Sequence, residues 1–225
     1  MAGILFIISA PSGSGKSTLV SEVRRLVEGL EFSISYTTRQ PRGSEENGKE
    51  YWFTNHAEFE RMIAAGEFLE WAKVFGSNYY GTAASALEHA RISGHDLLLD
   101  IDVQGALQVM KKVPEAVSIF ILPPSPQVLE TRLRNRSQAE GVTDQAVIEE
   151  RLSQARKELH FLGDYKYALI NDQLDQAASK MRAIVLHERG EAGDVAEVAA
   201  RCLTKVHSAK LDAVLASLQV PATTV

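Results

Sequence analysis

Residues 4–18 read ILFIISAPSGSGKST. The apolar run Ile4–Ile8 is a strand, the Gly-rich stretch a turn, and the residues after Lys16 open a helical pattern. That order is a phosphate-binding loop. The glycines let backbone N–H groups close around phosphate oxygens, and the helix N-terminus adds its positive dipole end. Lys16 is expected to reach the β- and γ-phosphates of a nucleotide, and the Ser17 hydroxyl to hold Mg²⁺. The loop comprises Ala10, Pro11, Ser12, Gly13, Ser14, Gly15, Lys16, Ser17 and Thr18, with Ala10 where the usual pattern has glycine. A Gly-rich turn without this role has no need of lysine at that place.

The chain has 225 residues, 45% of them hydrophobic and 24% charged, the composition of an ordinary globular protein with one sizeable core. A net charge of −5 argues against a general nucleic-acid binder. The single cysteine, Cys202, excludes an intrachain disulfide and fits a reducing compartment; its apolar neighbours favour a packing role. The first residues lack the pattern of a signal peptide, and no stretch approaches the roughly 20 apolar residues of a membrane helix. The expected location is cytoplasmic. The scattered histidines show no metal-ligand spacing.

Leu19, Val20, Val23, Leu26 and Val27 share one face of a helix that Gly29 stops. Strands are expected at Phe32–Thr38, Tyr51–Phe53 and Phe68–Val74, with a polar loop over Arg39–Lys49, a helix capped by Asn55, and a turn at Asn78–Gly81. Residues 34–84 thus read as a small β-rich insertion. A helix over Ala84–Ser93 leads into apolar strands at Leu97–Ile101 and Val117–Leu122, the second stopped by Pro123-Pro124. The Arg-rich stretch Ser125–Arg156 reads as two helices around the loop Ser137–Thr143. A strand at Tyr167–Ile170 and helices over 173–188 and 194–217 follow, with a frayed tail at Pro221–Val225. Strands alternating with helices predict an α/β fold: a parallel sheet flanked by helices. Ligands in such sheets bind beyond the carboxyl ends of the strands. The loop, Asp100, Asp102 and Asn171 all follow strands and are expected to converge on one cleft.

Three further sets carry chemistry. Arg39 and Arg42 flank Pro41, and two guanidinium forks can grip one phosphate dianion, with Tyr51 and Tyr80 as neutral donors. The alternative is a solvated basic loop. Asp100 and Asp102 lie two apart at a strand end and so point to one face. One can hold Mg²⁺ through water and the other accept N–H bonds from a base or sugar; the alternative is a helix-capping pair. Arg132 and Arg136 share a helix face, and Arg151 lies a later turn away. Phosphoryl transfer uses such cations around the transferring group; the alternative is a helix laced with Glu–Arg pairs.

Occurring together and in order, these sets resemble guanylate kinase, the bacterial kind in particular. The matching pieces are APSGSGKST, SISYTTRQPR, GKEYWF, FLEW, NYYGT, LLLDIDVQGA, LETRLRNR and LINDQLD, spanning roughly residues 4–190. The resemblance implies ATP on the P-loop with its adenine near Asn171. It implies GMP with its phosphate on Arg39, Arg42, Tyr51 and Tyr80, and its guanine read by Ser35, Glu70, Thr82 and Asp102. Asp100 becomes the Mg²⁺-side aspartate, and Arg132, Arg136 and Arg151 the lid arginines. The chain departs from the family pattern in three places. Ser77 is an extra residue before the Asn-Tyr-Tyr stretch, Ser137 stands where glycine is usual, and the stretch from Arg136 to Arg151 is several residues longer.

The expected organisation is a core at 1–33, 85–124 and 157–220, a GMP-binding insertion at 34–84 and a lid at 125–156, together one folding unit. The expected activity is ATP:GMP phosphotransfer with Mg²⁺, Lys16, Arg39, Arg132, Arg136 and Arg151 supplying catalysis. A kinase of a phosphorylated sugar on the same scaffold would have no use for Ser35, Glu70 and Thr82. A non-catalytic module of similar fold would lack the intact Gly15-Lys16-Ser17. Apolar positions such as Val195, Val198, Val206 and Leu211 leave a monomer and a homo-oligomer both open.

Overall fold

The structure, a computed structural model, describes residues 3–74, 77–206 and 208–219. In chain order its elements begin β1 (Leu5–Ser9), α1 (Lys16–Leu26), β2 (Leu30–Phe32), β3 (Tyr36–Thr37), β4 (Trp52–Phe53), α2 (His56–Ala64), β5 (Phe68–Val74) and β6 (Asn78–Ala83). They continue α3 (Ala84–Ser93), β7 (Asp96–Asp100), α4 (Val103–Lys112), β8 (Val117–Leu122), α5 (Pro126–Ala139) and α6 (Gln145–Leu159). A short 3₁₀ turn (His160–Asp164), β9 (Tyr167–Ile170), α7 (Leu174–Glu188), α8 (Asp194–Ala200) and α9 (Ala209–Leu218) complete them. The larger sheet has the order β2-β7-β1-β8-β9 and the smaller β4-β3-β6-β5. The chain divides into two compact units, Met1–Ile7 with Gly29–Ala116 and Ile8–Glu28 with Val117–Val225.

In the first unit β2 lies parallel to β7, with Leu30 opposite Asp96. The smaller sheet pairs β6 antiparallel with both β5 and β3, and sets Glu70 opposite Thr82. Helix α2 starts where expected, because the Asn55 side chain accepts from Glu58 N–H at 2.8 Å. It buries Phe59, Met62 and Phe68 together, and the Phe59 ring stacks on Phe68 at 4.4 Å and on Tyr79 at 5.2 Å. Helix α4 is tied to β5 by side chains. Gln108 Nε2 donates to Trp71 O at 2.7 Å, and Lys112 Nζ donates to Leu69 O at 2.7 Å.

In the second unit β8 lies parallel to β9 with Ile119 opposite Tyr167, and every residue of β8 is buried. This matches the near-continuous apolar run expected of a covered parallel strand. Ser125 caps α5 and Asp144 caps α6, each accepting a backbone N–H of its helix. The two helices meet through Leu129, Leu133, Ile148, Leu152 and Ala155.

Four expectations are corrected. The stretch Phe32–Thr38 is not one strand: Ser33 N–H donates to Leu98 O, whereas Ser35 O accepts from Trp52 N–H, so β2 and β3 belong to different sheets. Asn78–Gly81 is the start of strand β6, not a turn. There Gly81 answers packing, since a Cβ would lie 2.9 Å from Glu70 O and 3.0 Å from Phe59 Cζ. The single helix expected over 194–217 is broken into α8 and α9. Between them Cys202 O accepts from Ala168 N–H at 2.8 Å, and the Thr204 hydroxyl donates to the backbone oxygens of Tyr165 and Lys166. Pairing with β9 wins over helix propensity because it satisfies strand-edge groups that would otherwise be buried unpaired. Helix α1 also ends at Leu26, before Gly29. The tail Pro221–Val225 and the Gly76 that precedes Ser77 lie outside the described residues.

Leu133 is fully buried in the α5–α6 contact. Leu133→Ala should therefore lower unfolding free energy by about 2–5 kcal/mol, read from urea denaturation. A loss below about 1 kcal/mol would mean that α5 does not depend on this contact.

Candidate active site

In the second unit the turn after β1 is shaped by two left-handed glycines, Gly13 at φ +90° and Gly15 at φ +83°. Both conformations are cheap for glycine and costly for other residues. Space demands glycine as well. A Cβ on Gly15 would sit 2.5 Å from Asn171 Nδ2, and one on Gly13 3.1 Å from Leu133 Cγ. The turn is held from outside. Asn171 Nδ2 donates to Ser14 O at 2.9 Å and Gly15 O at 3.2 Å, and an Arg132 guanidinium nitrogen donates to Ser14 O at 3.1 Å. The carbonyls of Ser14 and Gly15 are thereby engaged by side chains.

These groups line a cavity of about 470 Å³ bounded by the loop, Arg132, Arg136, Asn171, Asp172 and Leu174. Lys16 is half-buried, and Ser17 and Thr18 are exposed. The Ser14 hydroxyl is fully buried with no hydrogen-bond partner among the described residues. Arg132 and Arg136 thus join the P-loop as expected from their shared helix face. Arg151 does not line the cavity. Its guanidinium donates to Ser137 Oγ at 3.0 Å and pairs with Glu140 at 2.9 Å. Asn171 lies on the cavity, with its amide nitrogen committed to the loop backbone.

In the first unit Glu70 lies on β5 and Tyr80 and Thr82 on β6, while Ser35 precedes β3, Arg39 and Arg42 follow it, Tyr51 precedes β4 and Asp102 follows β7. Glu70 is only 3% exposed. Burial, helped by the nearby Asp102 charge, pushes its carboxyl up to about 7, against the hydrogen bonds from Thr82 and the Lys112 charge. The Ser35 and Thr82 hydroxyl oxygens are 3.5 Å apart. Asp102 does cap a helix: its Oδ1 accepts from Gly105 N–H at 2.7 Å at the start of α4. Asp100 ends β7 and is half-buried.

Arg39 is already gripped. Its guanidinium makes a bidentate pair with Glu45 at 2.9 and 3.0 Å and donates from Nε to the Tyr80 hydroxyl at 3.1 Å. It also lies over the Tyr51 ring at 5.3 Å. Glu45 further accepts from Arg42 N–H at 2.8 Å, and the Arg39 hydrogen bonds hold its carboxyl below the usual range. The loop therefore does more than present solvated charge, though the Arg42 side chain itself is exposed.

Three positions in contact with the expected site residues escape the sequence reading. Gly105 is one: a Cβ there would lie 2.5 Å from Glu70 Oε2, so only glycine lets α4 approach that carboxylate. Glu45 and Glu140 are the others, each holding arginines expected to meet phosphate. Glu140 stands four residues after Arg136, and that helical spacing was its only local signal.

A parallel α/β sheet whose first strand opens through a P-loop onto a lysine- and arginine-lined cavity defines a P-loop kinase. The profile of the guanylate kinase family matches residues 3–188. The guanylate kinase of Koribacter versatilis is 57% identical over 189 residues, 84% of this chain and 80% of that protein. That of Escherichia coli K12 is 46% identical, covering 83% of this chain and 89% of that protein. The crystal structure of guanylate kinase from Anaplasma phagocytophilum superposes with a TM-score of 0.69 at 32% identity, covering 85% of this chain and 88% of that one. The chain belongs to the guanylate kinase family and is an enzyme of the nucleoside monophosphate kinase class. Among the described residues no helix is long and apolar enough to cross a membrane.

Gly15→Ala should destabilise the fold by more than the about 1–2 kcal/mol that a left-handed alanine costs, because the new methyl group also displaces Asn171. Gly94→Ala is the control, with φ +70° and nothing within 4 Å of the added Cβ. Equal losses in urea denaturation would mean that the Asn171 contact does not constrain the loop.

Proposed function

We propose that this chain transfers the γ-phosphoryl group of ATP to GMP, giving ADP and GDP, in cytoplasmic purine nucleotide metabolism. The buried Glu70 carboxylate with the Thr82 and Ser35 hydroxyls is the observation that carries the acceptor's identity. Guanine offers two adjacent N–H donors, at N1 and N2, beside the O6 acceptor. A carboxylate accepts both donors and a hydroxyl donates to O6. Adenine reverses the pattern and would leave buried groups unpaired, a loss of about 1–3 kcal/mol for each. Asp102 is assigned to the guanine as well, and Arg39, Arg42, Tyr51 and Tyr80 to the GMP phosphate. The bidentate Glu45 contact supports the last assignment, since it shows Arg39 presenting its fork to a planar dioxygen group. ATP is assigned to the P-loop cavity, with its adenine near Asn171.

The acceptor phosphate is already an oxyanion, its second pKa being roughly 6, so the reaction needs no strong base. The chain contributes position and charge. Lys16 and Arg132 are assigned to neutralise charge developing on the transferring group, with Arg136 at the cavity; Arg151, bonded to Ser137 and Glu140, is assigned to the lid. The Ser17 hydroxyl and Asp100 carboxylate are hard oxygen donors. Mg²⁺ is bound through one or two protein oxygens plus substrate phosphates, and each of these two groups is a donor of that kind. Ser17 and Asp100 are the residues that would hold Mg²⁺, which would supply charge neutralisation at the donor phosphates. The segments 34–84 and 125–156 are assigned as the GMP-binding and lid regions. The buried single cysteine, Cys202, is consistent with a reducing compartment.

A coupled assay of ADP formation across GMP, IMP, AMP, UMP and no acceptor tests the reading. GMP-dependent turnover is expected; turnover that ignores the base would favour another small acceptor, and none at all a binding module. In the same assay Lys16→Ala should keep the wild-type circular dichroism and lose about 10²-fold or more in kcat. Near-normal turnover in that variant would remove Lys16 from the chemistry.

The carboxylate of Glu70 must be ionised to accept both guanine donors. With its proton leaving near pH 7, guanine affinity should be flat at higher pH and fall below it, approaching tenfold per pH unit. The same raised value favours the folded state below the ordinary 4.5, and that stabilisation is lost as pH rises through about 7. Competition by guanosine, which has no phosphate to titrate, reads the binding profile between about pH 5.5 and about pH 8. Glu70→Gln should abolish the slope; a wild-type profile with no slope would sink the assignment.

A further inference from the structure

Helix α5 does not simply fray at its end. Gly141 N–H donates to Gln138 O at 3.0 Å and Val142 N–H to Ser137 O at 2.8 Å, with Gly141 at φ +73°. This pair of bonds is a Schellman turn. It fixes Glu140 at the helix C-cap, within reach of two cations. Glu140 Oε1 accepts from Arg136 Nε at 3.0 Å, and Oε2 pairs with Arg151 at 2.9 Å. Burial pushes the Glu140 carboxyl up, yet the two arginines outweigh it and hold it below the usual range. The two contacts differ in kind. The Arg136 side chain is 55% exposed and meets Glu140 as a surface i,i+4 pair. The Arg151 side chain is 18% exposed and is also bonded to Ser137. Only Arg136 of the two faces the P-loop cavity.

We propose that Glu140 is a positioning residue that anchors Arg151 to α5 permanently and holds Arg136 exchangeably, so that a polyphosphate in the P-loop cavity draws Arg136 away from it. One carboxylate between two guanidiniums leaves the trio with a net positive charge. The carboxylate offsets part of the repulsion between the two arginines. A solvent-exposed ion pair is weak and screened, whereas a triphosphate offers a denser charge and more acceptor oxygens. Glu140 therefore competes with the nucleotide for Arg136 and not for Arg151. The inference rests on the assignment of ATP phosphates to this cavity.

A double-mutant cycle tests it. ATP and inorganic tripolyphosphate binding are measured by calorimetry in wild type, Glu140→Gln, Arg136→Ala and the double variant. Removing the competitor should tighten both ligands about two- to fivefold, the size expected of one exposed pair, and should change nothing in the Arg136→Ala background. Weaker or unchanged binding in Glu140→Gln overturns the proposal. So does an equal gain with Arg136 absent, which would be the general effect of removing a negative charge. Arginine side-chain NMR on the wild-type protein gives a readout independent of folding of the variants. Saturating ATP should move the Arg136 Nε–H resonance and leave that of Arg151 in place; the reverse overturns the proposal. Failure of wild type to bind ATP at all overturns the reading of the cavity, and this inference with it.

Discussion

The backbone of the P-loop is the constraint on which the second unit depends. A turn through two left-handed glycines is locally unfavourable to order and has no sheet partner of its own. Asn171 and Arg132 supply the missing restraint by donating to the carbonyls of Ser14 and Gly15. That restraint comes from residues more than a hundred positions away in the chain. Asn171 is placed by β9, and Arg132 by α5, which α6 in turn supports through Leu129 and Leu133. The parallel strands, the helix contact and the phosphate loop are therefore one mechanical argument. A loop that must leave its amides to a ligand has its carbonyls satisfied by the fold.

The first unit solves a different problem, the burial of a carboxylate. A buried carboxylate without a full set of partners is costly. The antiparallel register setting Glu70 opposite Thr82 brings a hydroxyl to it, while Lys112, reaching the β5 backbone from α4, adds a compensating charge. Gly105 lets the α4 backbone come close to the carboxylate, and Gly81 lets β6 come close to the Glu70 carbonyl. The compensation is incomplete, which is why the proton leaves late. A carboxylate short of donors in the free protein is suited to a ligand that brings two.

Most elements were legible because each carried its own local signal. Apolar runs marked β7, β8 and β9. The Asn55 cap marked one helix start, and β5 had the right bounds. What failed depended on partners elsewhere in the chain. Tyr79 and Tyr80 sit in a strand because β3 and β5 receive them, although Asn78 and Gly81 read as turn residues. The segment after Ala200 leaves the helix because the Thr204 hydroxyl and the Cys202 carbonyl find acceptors and donors at β9. The site shows the same division. The P-loop, Arg132 and Arg136 were readable from motif and spacing, and the structure brings them around one cavity. Glu45 was not readable: nothing in a polar loop says which of three nearby glutamates, Glu45, Glu46 or Glu50, closes on Arg39.

The two carboxylates that hold arginines also show how exposure sets what such a pair can do. Arg39 and Glu45 are bidentate, with side chains 10% and 23% exposed, and Tyr80 and Tyr51 hold the guanidinium in place. Separating them would strip two parallel hydrogen bonds in a partly dry setting, where charge-assisted bonds are strong. Arg136 meets Glu140 through one nitrogen in solvent, where the same attraction is screened. An anion approaching Arg39 is therefore met by a guanidinium fixed in one orientation, with its remaining donor capacity defined in advance. An anion approaching Arg136 is met by a side chain able to change partners. Preorganised cations favour recognition of one geometry, and exchangeable ones favour a group whose charge and position change during the reaction. On the proposed assignments the acceptor phosphate, which stays attached to its nucleoside, belongs with the first kind, and the γ-phosphoryl group, which moves, belongs with the second.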